Sequence, residues 1–300
     1  MGAQSRWGGR MSTLKRFRTL VDRPLGVGES PVWDHRSGVL WFIDIARPAI
    51  YRCGPNGEGL TEFATPSTVG SIGLAGSAGL VAGLRDGVHL FDPDNGTWDR
   101  LCAIEEDRPE NRLNDGRVGP DGAFWIGTMF EHMPYQPTAA LYRVAPDGAV
   151  KTIRTDLHVS NGLGWSPDGR LMYHVDSVVP EIDVYDFDPA TGDFSATRVL
   201  TAFNAAIGHP DGAAVDAQGH YWSAGVSAGR LNRFAPDGTL VESIELPVPW
   251  PTMPCFGGEN LRTLYLTSMS HDGAEGSLIA IDVEVPGIRA DIFGQSARQG

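Results

Sequence analysis

The sequence predicts an all-β fold, a six-bladed β-propeller of four-stranded antiparallel blades closed by a strand from the N-terminus. Three features point to it. A short motif recurs six times, glycine and proline turns punctuate the chain about every ten residues, and no apolar stripe of helical period is long enough for a core helix. The motif is clearest in Ser160-Asn161-Gly162-Leu163-Gly164-Trp165, where a polar residue stands four places before an aromatic one and the turn Ser166-Pro167-Asp168-Gly169 follows. Glu29 before Trp33, Asn114 before Val118 and Asp211 before Val215 fit the same slot, and Ser71 and Thr252 fit it more loosely. The intervals from 29 through 71, 114, 161 and 211 to 252 are 42, 43, 47, 50 and 41 residues. A repeat of ~40–50 residues built from strands is the mark of a propeller.

The elements follow in order. Residues 14–21 precede the first motif and are expected to complete the last blade, closing the ring. The first repeat continues with strands over 39–44 and 49–52 and a turn at 54–57; the second with 79–82, 87–91 and a turn at 92–96. The third gives 123–126, 140–144 and a turn at 146–148, and the fourth 170–175, 182–187 and a turn at 189–192. The fifth gives 220–223, 231–234 and a turn at 236–238, and the sixth 263–267 and 276–281. The Pro-Asp-Gly and Asn-Gly turns suit tight hairpins, because glycine takes positive φ without steric cost. A lone blade cannot bury both faces, whereas blades around an axis cover one another.

Composition narrows the function. Apolar residues make up 41% of the 300, enough for a core, and no apolar run approaches the ~18–20 residues of a membrane span. Lys+Arg 24 against Asp+Glu 37 gives a net charge of −13, which disfavours nucleic acid and anionic membranes as partners. Cys53, Cys102 and Cys255 are scattered and odd in number, which argues for reduced thiols and a cytoplasmic protein. Residues 1–11 read as a disordered extension, with Met11 as a second candidate start; residues 12–300 read as a single domain, monomeric or dimeric.

Repeats around an axis place equivalent positions in a ring, so the polar side chains of the motif should converge at one end of the channel. Asn and Asp there can serve as turn residues bonding their own backbone. Glu29 is not a turn residue, and a carboxylate facing a packed channel is costly unless something cationic neutralises it. Glu29, Asn161 and Asp211 are therefore candidate ligands of one divalent metal, their hard oxygens suiting Ca²⁺, Mg²⁺ or Mn²⁺ and admitting Zn²⁺ or Fe²⁺. Arg112, two residues before Asn114, is placed to bond a substrate oxygen with its fork of donors. Gly225-Val226-Ser227-Ala228-Gly229 matches a hydrolase nucleophile elbow but lies between two short strands, so it reads as a hairpin turn. The turn Asp92 to Gly96 lacks the closing Glu of a calcium loop. The eight histidines form no zinc spacing; His132 and His209 are the two placed near the mouth.

At these same residues the chain resembles the senescence-marker-protein/gluconolactonase family. The resemblance spans residues 14–285 and rests on Gly26-Val27-Gly28-Glu29-Ser30-Pro31-Val32-Trp33, Leu40-Trp41-Phe42-Ile43-Asp44, Arg112-Leu113-Asn114-Asp115-Gly116, Gly127-Thr128-Met129, Ser160-Asn161-Gly162, Pro210-Asp211-Gly212 and Cys255-Phe256-Gly257-Gly258. It implies hydrolysis of a sugar lactone, one divalent metal on Glu29, Asn161 and Asp211, and substrate held by Arg112 and Asn114. It also implies an acidic residue for sugar hydroxyls just after Gly127-Thr128-Met129; by spacing that position is His132, with Glu131 beside it.

The chemistry expected is metal polarisation of the lactone carbonyl and attack by water. Asp211 is the candidate base, with a metal-bound hydroxide as the alternative, and residues 130–138 are the expected lid. Two other readings share the scaffold: a calcium-dependent phosphotriesterase or arylesterase, and a non-catalytic calcium-binding regulatory protein.

Overall fold

The structure, a computed structural model, describes residues 16–295. The proposed extension at 1–11 and the first two residues of the expected closing strand lie outside the described residues. Six antiparallel sheets radiate from a central axis. Their innermost strands are Gly28–Asp34, Val69–Ala75, Asn111–Val118, Ser160–Trp165, His209–Val215 and Pro251–Gly257. Each packs against the next, and the last packs against the first, so the ring is closed. In every blade the following strands in sequence lie progressively outward. The sixth blade is finished from the other end of the chain: Arg18–Thr19 pairs with Leu278–Asp282, and Arg18 forks onto the Asp282 carboxylate at 2.8 and 3.1 Å. Closure by the N-terminus is as the sequence predicts.

The period of two explains why the second strands read as unbroken apolar runs. Along Val39–Asp44, Leu40 and Phe42 enter the layer shared with the sixth blade, while Trp41 and Ile43 enter the layer shared with the second. Both faces are buried, so neither needs polar residues. Six such interblade layers form the core, each carrying one or more large aromatics such as Trp125, Tyr173 and Trp222. Among the described residues no helix is long and apolar enough to cross a membrane.

The chain beyond the sixth blade was not anticipated from sequence. After Leu278–Asp282 it crosses the far end of the channel, and Ile292–Phe293 adds a parallel strand to the innermost strand of the second blade. Ile288, Arg289 and Asp291 thereby help to line a cavity of about 60 Å³ on the axis, together with Ser30, Arg117 and Cys255.

Candidate active site

A β-bulge on each innermost strand sets the geometry. Pairing slips between Glu29 and Val32, Val69 and Ser71, Leu113 and Gly116, Asn161 and Gly164, Pro210 and Ala213, and Pro251 and Pro254. Each slip leaves an extra residue on the inner strand, which kinks the backbone and re-aims side chains. Glu29 and Asn161 are the last paired residues before their bulges, whereas Asn114 and Asp211 are the first residues inside theirs. The recurring polar slot is thus a recurring bulge.

The bulges are tied across blades. Arg112 Nη1 donates to Asn114 Oδ1 (2.8 Å), Asn114 Nδ2 to Asn161 Oδ1 (3.1 Å) and Ser160 O (2.9 Å), and Asn161 Nδ2 to Ser177 Oγ (2.8 Å). Ser177 Oγ in turn donates to the carbonyl of Pro210 (2.7 Å), the neighbour of Asp211. This arc joins the third, fourth and fifth blades and fixes which end of each amide faces which partner. On the other side, Thr252 Oγ1 donates to Gly28 O (2.6 Å), and Ser30 Oγ exchanges hydrogen bonds with the backbone of Ile72. Ser71 is fully buried, and its hydroxyl has no partner among the described residues.

Carboxylates crowd the centre. Glu29 is buried, accepting from the Ser30 N–H at 2.6 Å. Burial pushes its pKa well above the usual carboxylate range, with the charges of Asp211 and Asp115 adding to the shift. Burial and then Asp115 push Asp211 up to about 8, and Arg112 offsets part of this. Asp115, which the sequence reading passed over, is buried; one oxygen accepts from Leu163 N at 3.2 Å and the other has no partner among the described residues. Burial raises its pKa too, opposed by Arg117, which spans to Ala213 O at 2.7 Å.

These residues fit a divalent cation. Glu29, Asp211 and the amide oxygen of Asn161 are hard donors, and a cation would relieve the crowding that drives the carboxylates toward protonation. Among the described residues no three His, Cys, Asp or Glu side chains form a metal group by themselves, so the set needs the amide.

Arg112 stands over this centre. Burial lowers its pKa, while Glu131 and Glu29 oppose the shift. Glu131 lies 4.0 Å from Arg112 and 2.7 Å from Arg85, whose hydrogen bond holds its carboxyl below the usual range. His132 is not brought to the centre: it is exposed and lies 3.2 Å from Glu110. His209 is exposed as well. Of the two acidic-site candidates, Glu131 is therefore the one aimed inward. The loop carrying it is anchored where Asn111 and Thr138 exchange side-chain and backbone hydrogen bonds. Ser227 sits in the hairpin joining Tyr221–Val226 to Arg230–Phe234, and Asp92 caps the turn before Thr97–Ala103 through the backbone of Asp94 and Gly96.

Residues 27–270 match the family described as SMP-30/Gluconolactonase/LRE-like region. The chain is 35% identical over 287 residues to 6-deoxy-6-sulfogluconolactonase of Pseudomonas putida, covering 92% of this chain and 98% of that protein. It is 32% identical over 263 residues to regucalcin of Xenopus laevis, covering 86% and 88%. Among solved structures it is similar to regucalcin of Agrobacterium tumefaciens, described as a calcium-binding protein, with a TM-score of 0.88, 28% identity and coverage of 94% and 98%.

Proposed function

The chain belongs to the SMP-30/gluconolactonase/LRE-like family, and on that premise we propose that it is a hydrolase that opens a sugar lactone to the aldonic acid. The observation that carries this reading is buried Glu29 beside half-buried Asp211, with half-buried Arg112 near enough for its charge to act on both, a place where a carbonyl oxygen and its ring can be largely shielded from water. Likeness to a protein named for a gluconolactone supports the substrate class.

Glu29, Asn161 and Asp211 would hold one divalent cation, which when bound supplies Lewis-acid polarisation of the lactone carbonyl. Arg112 and Asn114 orient the ring, an entropic contribution worth several kcal/mol. Arg112 is itself fixed by its bonds to Leu113 O and Asn114 Oδ1. Glu131 accepts from sugar hydroxyls at the rim. Asp211 takes the proton of the attacking water and returns it to the ring oxygen as the acyl C–O bond breaks.

The test is metal-stripped protein assayed against a panel of aldonolactones with Ca²⁺, Mg²⁺, Mn²⁺, Zn²⁺ and Fe²⁺ restored singly. Asp211→Ala should lose both turnover and calorimetric cation binding while unfolding at the wild-type temperature. Arg112→Ala should lose roughly 100-fold in kcat/KM with cation binding kept. Full activity in chelator, or in Asp211→Ala, overturns the assignment. Calcium binding with no turnover of any lactone favours the regulatory reading, which likeness to a calcium-binding regucalcin keeps in view. Preference for aryl esters or phosphotriesters favours the other hydrolase.

A further inference from the structure

Three side chains from three separate elements meet at the rim of the mouth. Arg85 comes from the hairpin between Gly79–Leu84 and Gly87–Asp92 of the second blade. Arg112 comes from the innermost strand of the third blade, and Glu131 from the loop that follows Phe124–Phe130. Glu131 Oε2 accepts from Arg85 Nη2 at 2.7 Å, and Glu131 Oε1 lies 4.0 Å from Arg112 Nε. The two guanidiniums are close enough for the charge of Arg85 to act against that of Arg112. One carboxylate therefore serves two arginines, so the three side chains together carry a net positive charge.

Donors remain to be used. Arg85 spends Nη2 on Glu131 and on Pro109 O (3.3 Å), and Arg112 spends Nη1 on Leu113 O and Asn114 Oδ1. Each guanidinium has five N–H donors in a fixed plane, so among the described residues Arg85 Nε and Nη1 and Arg112 Nη2 make no protein hydrogen bond. Of the neighbouring carboxylates, Glu110 lies 3.2 Å from His132 and Glu105 3.8 Å from Arg108, while Glu29 acts on Arg112 through its charge. Side-chain exposure rises from 13% at Arg112 through 31% at Glu131 to 40% at Arg85, so the three mark a line from the interior to the rim.

We propose that Arg85, acting with Arg112, is a specificity-determining residue: the two form a subsite for a tetrahedral anionic group, a sulfonate or phosphate, on the carbon of the lactone remote from its carbonyl. The inference rests on the hydrolase reading above and narrows its substrate to an acidic sugar lactone. A lactone with its carbonyl over Glu29 and Asp211 that extends outward past Arg112 would bring its far carbon toward Arg85, the more exposed of the two arginines. A tetrahedral anion presents three acceptor oxygens to two planar forks of donors, whereas a neutral hydroxymethyl group presents one. Glu131 competes with such an anion for Arg85, so the carboxylate tempers affinity while it holds the guanidinium in place.

Kinetics with glucono-1,5-lactone, 6-phosphoglucono-1,5-lactone and 6-deoxy-6-sulfogluconolactone test this, in wild type, Arg85→Gln and Glu131→Gln. Wild type should favour one or both anionic lactones in kcat/KM, the two arms separating sulfonate from phosphate. Arg85→Gln should lower the anionic-to-neutral ratio by about tenfold, mainly through KM, the loss of a charge-assisted hydrogen bond. Glu131→Gln should move the ratio the opposite way, and raised salt should weaken only the anionic substrates. An unchanged ratio in Arg85→Gln, or a fall in Glu131→Gln, overturns the subsite. If wild type turns over no lactone, the hydrolase reading fails instead. Calorimetric binding of 6-phosphogluconate and of 6-deoxy-6-sulfogluconate, tighter to wild type than to Arg85→Gln, then still decides the subsite.

Discussion

His174 is fully buried on the second strand of the fourth blade, with Nε2 2.8 Å from Ser160 Oγ and Nδ1 unpartnered among the described residues. Burial chiefly, with the charge of Arg154 adding, pushes its pKa down to about 3. An unfolded chain protonates the same imidazole near pH ~6.5. Between these values the unfolded state binds a proton that the native state refuses, so stability falls as the pH falls, by up to ~1.4 kcal/mol per pH unit. The raised pKa values of Glu29, Asp211 and Asp115 act in the opposite sense, so the measure is a difference between two proteins: below pH 6.5 the urea midpoint of wild type should fall relative to that of His174→Gln as the pH drops, and parallel profiles would refute the assignment. The residue scale is also where sequence reading reaches least far. Glu29, Asn161 and Asp211 stand out because the repeat marks their slot. Asp115 and Arg85 do not: their roles come from partners in other blades, Leu163 for one and Glu131 for the other.

The element that builds the site is the bulged inner strand, and its signature was legible as a polar residue four places before an apolar one. The register was not. Glu29 and Asn161 precede their bulges while Asn114 and Asp211 lie within theirs, a one-residue offset that spacing alone cannot express. Gly162 shows why the device constrains sequence. It follows Asn161 with φ +67°, its carbonyl accepts from the Tyr221 hydroxyl at 2.7 Å, and an added Cβ would meet that hydroxyl at 2.5 Å and Val175 at 2.9 Å. Gly162→Ala should cost ~1–3 kcal/mol from backbone strain and contact together, and should loosen cation binding because Asn161 moves with it. Gly164→Ala, whose nearest contact is Val215 at 3.2 Å without positive φ, should cost less. Equal melting temperatures for the two variants would show that the bulge yields freely.

At the scale of the molecule, the two ends of the chain close two different things. Arg18–Thr19 closes the ring of blades, whereas the C-terminal segment closes the channel at the end away from the mouth. That segment is stapled to four blades: Ala217 N donates to Pro286 O, Gly287 N to Leu261 O, Ile292 and Phe293 pair with Leu74 and Ala75, and Gly294 N donates to Gly122 O. Phe293 is buried in the layer between the second and third blades with Ala75 and Phe124. Sequence reading found no repeat here because the segment is not one; it is a strap whose partners are turns and an inner strand already complete in themselves. Phe293→Ala should therefore destabilise the propeller by ~3–5 kcal/mol, as removal of a buried aromatic does. Truncation after Gly287 should go further and open the axial cavity. Cys255 lines that cavity, and burial raises its thiol pKa to about 11, so it should react slowly with a disulfide reagent in the intact protein. In the truncated protein, under native conditions, Cys255 should label much faster, while lactone KM stays near wild type because the mouth lies at the other end of the axis. Unchanged Cys255 labelling together with an unchanged urea midpoint would mean that the strap is an ornament of the fold and the blades alone seal the channel.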